Sequence, residues 1–387
     1  MTPPPRRSAR NGSEGAAHSP GTKKGRSLRA RLVLLGAAVL CLFLTACMGG
    51  PQSSLQASGS YARSADRLFE GVFIIVAIVF VLVEGAIVVF LIKYRERDPN
   101  DLPVQVHGHT RAEVIWTVIP AVILAGVAIP TVKMIFDFAR VPPKADRVDV
   151  CITGHQWWWE YQYVKDPGDA CPAQGLPSND VAVTTANELV LPTHKSIYLT
   201  LNSIDVIHAF WVPQLNGKQD VVPGHTNHMT IEADNPGTYY GQCSQYCGTS
   251  HANMRLRAVA LTPDAYQSWL SQQAQPAVTP TATDAQAGAD LFVNGRNNTG
   301  VFASKGQPAC SNCHAIDGTT AAGQKGPNLT HVFTRQAFAG DTFDMNPENL
   351  KLWLEDPPKM KPGVDMPNLG LTPQEVNDLV AYLETLK

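Results

Sequence analysis

Net charge is almost absent from this chain: 31 lysines and arginines stand against 33 aspartates and glutamates over 387 residues, a balance of −2 with histidine neutral. That balance argues against a nucleic-acid partner, which needs a basic face. Hydrophobic periodicity is missing from Gln272 to Asp284, where prolines, threonines and alanines follow one another without an apolar face, so this stretch reads as a linker. Metal-ligand spacing is missing around His155, His194, His225 and His228, which read as structural or surface histidines. Length, in contrast, leaves room for two folded domains and membrane segments.

Three apolar stretches precede the first domain. A basic start (Arg6, Arg7, Arg10, Lys23, Lys24, Arg26, Arg29, Arg31) leads into the run from Leu32 to Ala46, the profile of an export signal. The run ends Leu44-Thr45-Ala46-Cys47, which resembles a bacterial lipobox with Cys47 as the lipidated residue. Residues 1–46 are therefore expected to be a lipoprotein-type signal peptide, although a plain signal or short anchor beside an incidental cysteine fits the same stretch. Gly71 to Ile92 and Val114 to Phe136 are each long enough to cross a bilayer, giving a two-helix hairpin within 68–138. Lys93, Arg95, Arg97 and Arg111 lie between them, so the positive-inside rule keeps this short loop cytoplasmic and sends the rest of the chain outside. Glu84, deep in the first span, is a costly charge that marks a polar contact or a pathway.

Beyond the spans, short β-rich segments (Arg147 to Ile152, Val181 to Thr185, Ser196 to Asn202, His228 to Glu232, Ala258 to Thr262) are separated by turn residues, as an all-β Greek-key sandwich or barrel requires. Near their end, Gly241-Gln242-Cys243-Ser244-Gln245-Tyr246-Cys247-Gly248-Thr249-Ser250-His251-Ala252-Asn253-Met254 brings two thiols, an imidazole and a thioether into one loop. Such soft and borderline donors suit copper. Two cysteines separated by three residues can turn both thiolates to one side and bridge a pair of metal ions, with His251 and Met254 each capping one. The best candidate for a second histidine is His208, in Asp205-Val206-Ile207-His208-Ala209-Phe210-Trp211.

Together these residues resemble the binuclear copper A site of cytochrome c oxidase subunit II, and the resemblance extends from about Leu68 to about Leu270. It also takes in Glu113-Val114-Ile115-Trp116-Thr117, Gly154-His155-Gln156-Trp157-Trp158-Trp159-Glu160-Tyr161 and Lys218-Gln219-Asp220-Val221-Val222-Pro223-Gly224, in the family's order. The resemblance implies a cupredoxin-like domain over 145–270 whose two copper ions are held by His208, Cys243, Cys247, His251, Met254 and the backbone carbonyl of Gln245. It places Trp157 on the electron's entry path and Glu113 at the mouth of a proton path into subunit I. It further implies a magnesium ion at the contact with subunit I, where the family's usual glutamate is replaced here by Gln245, a neutral amide and a weaker ligand for a hard cation. His225 stands where arginine is common. Cys151 and Cys171 match no ligand of the family, and in an oxidising compartment a disulfide is expected.

A second signal is Cys310-Ser311-Asn312-Cys313-His314. C-x-x-C-H is the attachment sequence of c-type haem: two thiols form thioether links and the histidine is the proximal ligand. Ala287-Gly288-x-x-Leu291-Phe292 resembles the first helix of a small cytochrome c, and Gly326-Pro327-Asn328-Leu329 its loop under the haem. Thr372-Pro373-Gln374-Glu375 reads as a capping box with proline at the first helical position, and Val376, Leu379, Val380 and Leu383 line one face of a last helix. Met345, Met360 and Met366 compete for the distal position. Lys361-Pro362-Gly363-Val364-Asp365-Met366-Pro367 has the family's pattern, which favours Met366.

The expected architecture is a membrane-anchored multidomain chain: a two-helix transmembrane hairpin, an all-β cupredoxin-like domain, a flexible linker over 271–283 and an all-α class I cytochrome c domain over 284–387. The resemblance is to subunit II of a caa-type haem–copper oxidase. It implies electrons entering at one covalent haem c, passing to copper A and leaving for subunit I, where oxygen is reduced and protons are moved. This chain lacks the many histidine-bearing helices that dioxygen chemistry needs, so that step belongs to a partner. Implied partners are subunits I and III, an upstream cytochrome c or bc-type complex, and the lipid of a bacterial plasma membrane. A copper A subunit of a nitric oxide reductase fits the same residues. A copper chaperone also uses paired thiols, but has no need of Met254, the second histidine or the hairpin.

Overall fold

The computed structural model describes residues 49–96, 107–172, 178–296 and 307–387, with isolated positions at 31, 34–36, 38, 105 and 301–302. Apart from the isolated positions at 31, 34–36 and 38, the export signal lies outside the described residues, as do Cys47 and Arg97. Pro51 to Lys387 group as one unit.

Helix α1 (Ser60–Lys93) and helix α2 (Thr110–Phe138) are long and apolar enough to cross a membrane. Their apolar side chains, Phe73, Leu82, Ile92 and Ile119 among them, face outward instead of into a protein core. A helix that satisfies its own backbone groups and presents apolar side chains all round suits a bilayer. The rings of Tyr61 and Phe138 meet edge to face at 5.4 Å, which brings the start of α1 to the end of α2 and makes the pair a hairpin. The end formed by Tyr61 and Phe138 is stitched to the next domain. Ser60 Oγ donates to Glu232 at 2.7 Å, Arg63 pairs with Asp234, and the Asp234 amide donates to the Ser58 carbonyl at 2.9 Å.

Ten strands follow in chain order: β1 (Arg147–His155), β2 (Trp158–Val164), β3 (Val181–Ala186), β4 (Glu188–Pro192), β5 (Ser196–Ser203), β6 (His208–Trp211), β7 (Gln219–Val221), β8 (Asn227–Ile231), β9 (Gly237–Cys243) and β10 (Arg255–Leu261). They form two sheets, in the orders β3-β2-β1-β5-β8 and β4-β10-β9-β6-β7. The β1–β5 and β4–β10 pairs are parallel and the remaining pairs antiparallel. Strand β5 shows why the sheets pack. Ile197, Leu199 and Leu201 point into the core while Tyr198, Thr200 and Asn202 alternate outward, the period of two that a strand imposes. Trp159, Phe210, Leu189 and Met254 fill the space between the sheets. Cys151 and Cys171 form the expected disulfide.

Helix α3 (Pro263–Gln273) starts at Thr262, whose side chain accepts from the Ala265 amide. The segment after it, read from sequence as a flexible linker, is bonded down. The Ala277 amide donates to the Asp317 carbonyl at 2.9 Å, and His331 Nε2 bonds the Gln275 carbonyl at 2.8 Å. Helix α4 (Thr283–Asn294), α5 (Pro347–Glu355), the short α6 (Pro357–Met360) and α7 (Pro373–Leu383) build the C-terminal domain, with two small two-residue strand pairs beside them. The capping box at Thr372 and Glu375 is present in both directions. Helices α4 and α7 cross at Gly288: a Cβ there would stand 2.0 Å from the Asp378 carbonyl oxygen, so only glycine permits this approach. The buried face of α7 is Val376, Leu379, Tyr382 and Leu383, with Tyr382 edge-on to Phe292 at 5.8 Å.

Candidate copper centre and haem pocket

All six expected copper donors converge. His208 begins β6, Cys243 ends β9, Cys247 lies in the loop that follows, His251 starts a short 3-10 turn, and Met254 immediately precedes β10. Cys243 Sγ lies 3.7 Å from Cys247 Sγ, 4.0 Å from His208 Nδ1 and 3.1 Å from the Gln245 carbonyl oxygen. Cys247 Sγ lies 3.5 Å from His251 Nδ1 and 3.8 Å from Met254 Sδ. Both cysteines are free thiols and buried. Among the described residues, His208, Cys243 and Cys247 form a group able to hold a metal ion, their donor atoms within 4.8 Å of one another.

The electrostatics suit a cation. The hydrogen bond shared with Cys247 holds the Cys243 thiol down to about 3, and the same bond pushes Cys247 up. One thiolate forms readily and its neighbour resists a second negative charge, so a cation between the two sulfurs is what lets both ionise. His208 is fully buried, and its Nε2 is hydrogen-bonded to Asp205 Oδ1 at 2.8 Å, which turns Nδ1 toward the thiols. A metal-binding histidine held through its other nitrogen in this way has a fixed ring orientation. Nothing in local sequence singled out Asp205 for this role. Its position three residues before His208 is the one signal that was available.

The three consecutive tryptophans take three different places. Trp157 Nε1 donates to the Cys247 carbonyl at 3.0 Å, and Gln156 Nε2 donates to the same oxygen at 2.7 Å. Trp158 stacks on His155 with ring centroids 3.9 Å apart. Trp159 is fully buried against Phe210, edge-on at 5.6 Å.

In the C-terminal domain, a cavity of about 380 Å³ is lined by Cys310, Cys313, His314 and Met366 together with apolar side chains such as Leu350, Trp353 and Leu379. His314 Nδ1 is hydrogen-bonded to the Pro327 carbonyl at 2.8 Å, leaving Nε2 for a metal. Burial keeps the imidazole neutral by lowering its pKa, the protonation state that ligates. Two thiols for the covalent links, with a neutral imidazole and a thioether as iron ligands around an apolar cavity, are what a c-type haem requires. Met345 also lines the cavity and Met360 does not, so geometry removes Met360 and leaves Met345 as the competitor of Met366. Trp157, Trp158 and Lys361 also line this cavity, so the copper domain forms part of its wall.

Glu113 sits in the first turn of α2, its Oε1 accepting from the His109 amide at 3.1 Å, far in sequence from both centres.

Comparison with known proteins gives three family matches: cytochrome c oxidase subunit II transmembrane domain over residues 51–134, cytochrome c oxidase subunit II periplasmic domain over 148–261, and cytochrome c over 285–387. Cytochrome c oxidase subunit 2 of Alkalihalophilus pseudofirmus is 34% identical over 357 residues, covering 90% of this chain and 95% of that protein. The namesake from Bacillus sp. is 32% identical over 310 residues, covering 76% and 79%. That of Bacillus subtilis is 29% identical over 380 residues, covering 92% and 98%.

Proposed function

Because the chain belongs to the cytochrome c oxidase subunit II family and carries a cytochrome c domain at its C-terminal end, we propose that it takes up single electrons at a haem c, passes them to a copper A pair and delivers them to subunit I for reduction of oxygen to water with proton translocation. When bound, the haem iron and the copper pair supply one-electron carriers that change valence without making or breaking bonds. Cys310 and Cys313 would hold the haem covalently, and His314 and Met366 would supply the ligands of its iron. His208, Cys243, Cys247, His251, Met254 and the Gln245 carbonyl would hold the two coppers. A rigid β-scaffold imposes one ligand geometry on both redox states, which lowers the reorganisation that each electron requires. Trp157 carries the electron between the two centres. Gln245 acts through its backbone; its amide side chain is a poor partner for magnesium.

The observation that carries this reading is the meeting of six copper-suited donor atoms, two of them thiols 3.7 Å apart. Glu113, at the start of α2, is the entrance of a proton path into subunit I. The remaining parts of the reading are an extracytoplasmic placing of both domains, a lipid at Cys47, assembly with subunits I and III, and an external cytochrome c or bc-type complex as donor.

The test is the metal content and spin signal of the purified chain. Two copper ions and a mixed-valence electron-spin signal shared between them are expected, and Cys247→Ser should abolish the shared signal. A single-copper spectrum from the wild-type protein would refute the binuclear assignment. Oxygen uptake by the assembled complex checks the terminal step, and turnover of nitric oxide without oxygen uptake would reassign it.

A further inference from the structure

Lysine is seldom fully buried unless it is paired, yet Lys361 is 2% exposed. Its side chain leaves the C-terminal domain and reaches the copper domain. Nζ donates to the Trp157 carbonyl at 2.8 Å and to the Ala339 carbonyl at 2.9 Å. Trp157 in turn donates from its ring to the carbonyl of Cys247 at 3.0 Å. Lys361 and Trp157 both line the cavity that Cys310, Cys313 and His314 enter. A continuous line of hydrogen-bonded groups therefore joins the wall of the haem cavity to a copper-binding cysteine.

The surrounding contacts belong to a built interface. Arg257 Nε meets Asp341 Oδ1 at 2.5 Å, with both side chains under 10% exposed. The Arg255 amide donates to the Gly340 carbonyl at 2.9 Å, and the Gln336 amide to Glu188 Oε2 at 2.9 Å. Gly340 has φ 74°, and a Cβ there would stand 2.6 Å from both the Asn253 carbonyl oxygen and Lys361 Nζ. Glycine is what lets this loop lie against the copper domain. Burial lowers the Lys361 pKa to about 7. A neutral amine has two N–H groups, the number of carbonyls that it meets.

We propose that Lys361 is the positioning residue of this dock: by holding the Trp157 carbonyl it fixes the indole between the haem cavity and Cys247, so that the internal electron step runs in a preformed complex. The proposal rests on the electron-transfer reading above. One electron passes per event, from ferrous haem iron to the oxidised copper pair, and no bond or proton is exchanged. The linker then supplies connectivity, while the dock sets the donor-to-acceptor geometry.

The experiment uses the full chain with haem and copper bound. Lys361→Met keeps the length of the side chain and removes its donors. The Arg255 and Gln336 amides have their acceptors across the interface, so their hydrogen exchange reports undocking directly. Exchange at both should rise by about tenfold or more, as losing hydrogen bonds to two buried carbonyls implies. Exchange within the β1–β5 pair should stay as in the wild type. Flash-initiated transfer from haem to copper should slow and become viscosity-dependent. Unchanged exchange at Arg255 and Gln336 overturns the proposal. If Lys361→Met fails to fold, Gly340→Ala keeps the lysine and pushes the same loop off Asn253; it should speed Arg255 exchange, and an unchanged value there overturns the proposal equally. Protected amides in a wild-type chain that moves no electron between its centres would refute the electron-transfer reading while the dock itself stood.

Discussion

Breaking the Cys151–Cys171 bridge should cost the copper domain a calculable part of its stability. The bridge closes a loop with a sequence separation of 20, and the chain-entropy relation for a loop of that size gives about 3 kcal/mol at 25 °C. Cys171→Ser is the cleaner perturbation. Cys171 is half-buried, whereas Cys151 is 4% exposed within β1, so a serine at 151 would add a buried hydroxyl to the loss of the cross-link. The lone Cys151 thiol left by Cys171→Ser behaves as a small apolar group and suits its position. A loss of about 3 kcal/mol in a domain of roughly 125 residues lowers Tm by about 10–15 °C. Loss of copper absorption on heating, read at wavelengths outside the haem bands, follows this domain. Cys171 is distant in sequence from every copper donor, and the spectrum at 25 °C should match the wild type. A Tm within about 3 °C of the wild type would refute the loop-closure argument.

Three further outcomes follow from particular contacts. Replacing Met366 with leucine should lower the haem potential and remove the thioether ligand, while Met360→Leu leaves both as they are; an unshifted Met366→Leu potential together with a shifted Met345→Leu potential would move the ligand to Met345. Burial raises the Glu160 pKa from 4.5 to about 8, so the stability tied to its proton is complete below 4.5 and lost as pH rises through 8; Glu160→Gln should therefore gain in Tm over the wild type between pH 5 and pH 8, and a pH-independent difference would discount the buried carboxyl. Asp205→Ala frees the His208 ring and should weaken copper binding by about 10- to 100-fold in a competitive chelator titration, with unchanged affinity showing that packing alone orients the imidazole.

Much of the site was legible because its residues lie close together in sequence. Cys243, Cys247, His251 and Met254 share one loop, and Cys310, Cys313 and His314 one pentapeptide, so spacing alone reveals their chemistry. The capping box at Thr372 and the alternation in β5 are equally local, being set by backbone hydrogen bonding and the period of the strand. The distal methionine was less so. Met345, Met360 and Met366 differ in which of them reaches the cavity, a matter of how α5, α6 and the following loop fold back on α7.

What the sequence by itself determined is the set of parts: two apolar spans, a β-domain with a copper-suited loop, and a haem attachment motif. Each depends on a periodicity or a spacing that a short stretch imposes on itself. The tertiary structure decided how the parts meet. Lys361 and Trp157 are 204 residues apart, Arg257 and Asp341 are 84, and no pattern within either segment encodes the other. The stretch after α3 has the composition of a free linker, yet its carbonyls and amides find partners on the haem domain. A buried lysine looks like a surface lysine in sequence, because its N–H groups are satisfied by backbone carbonyls that carry no side-chain signature and are brought to it only when the two domains close together.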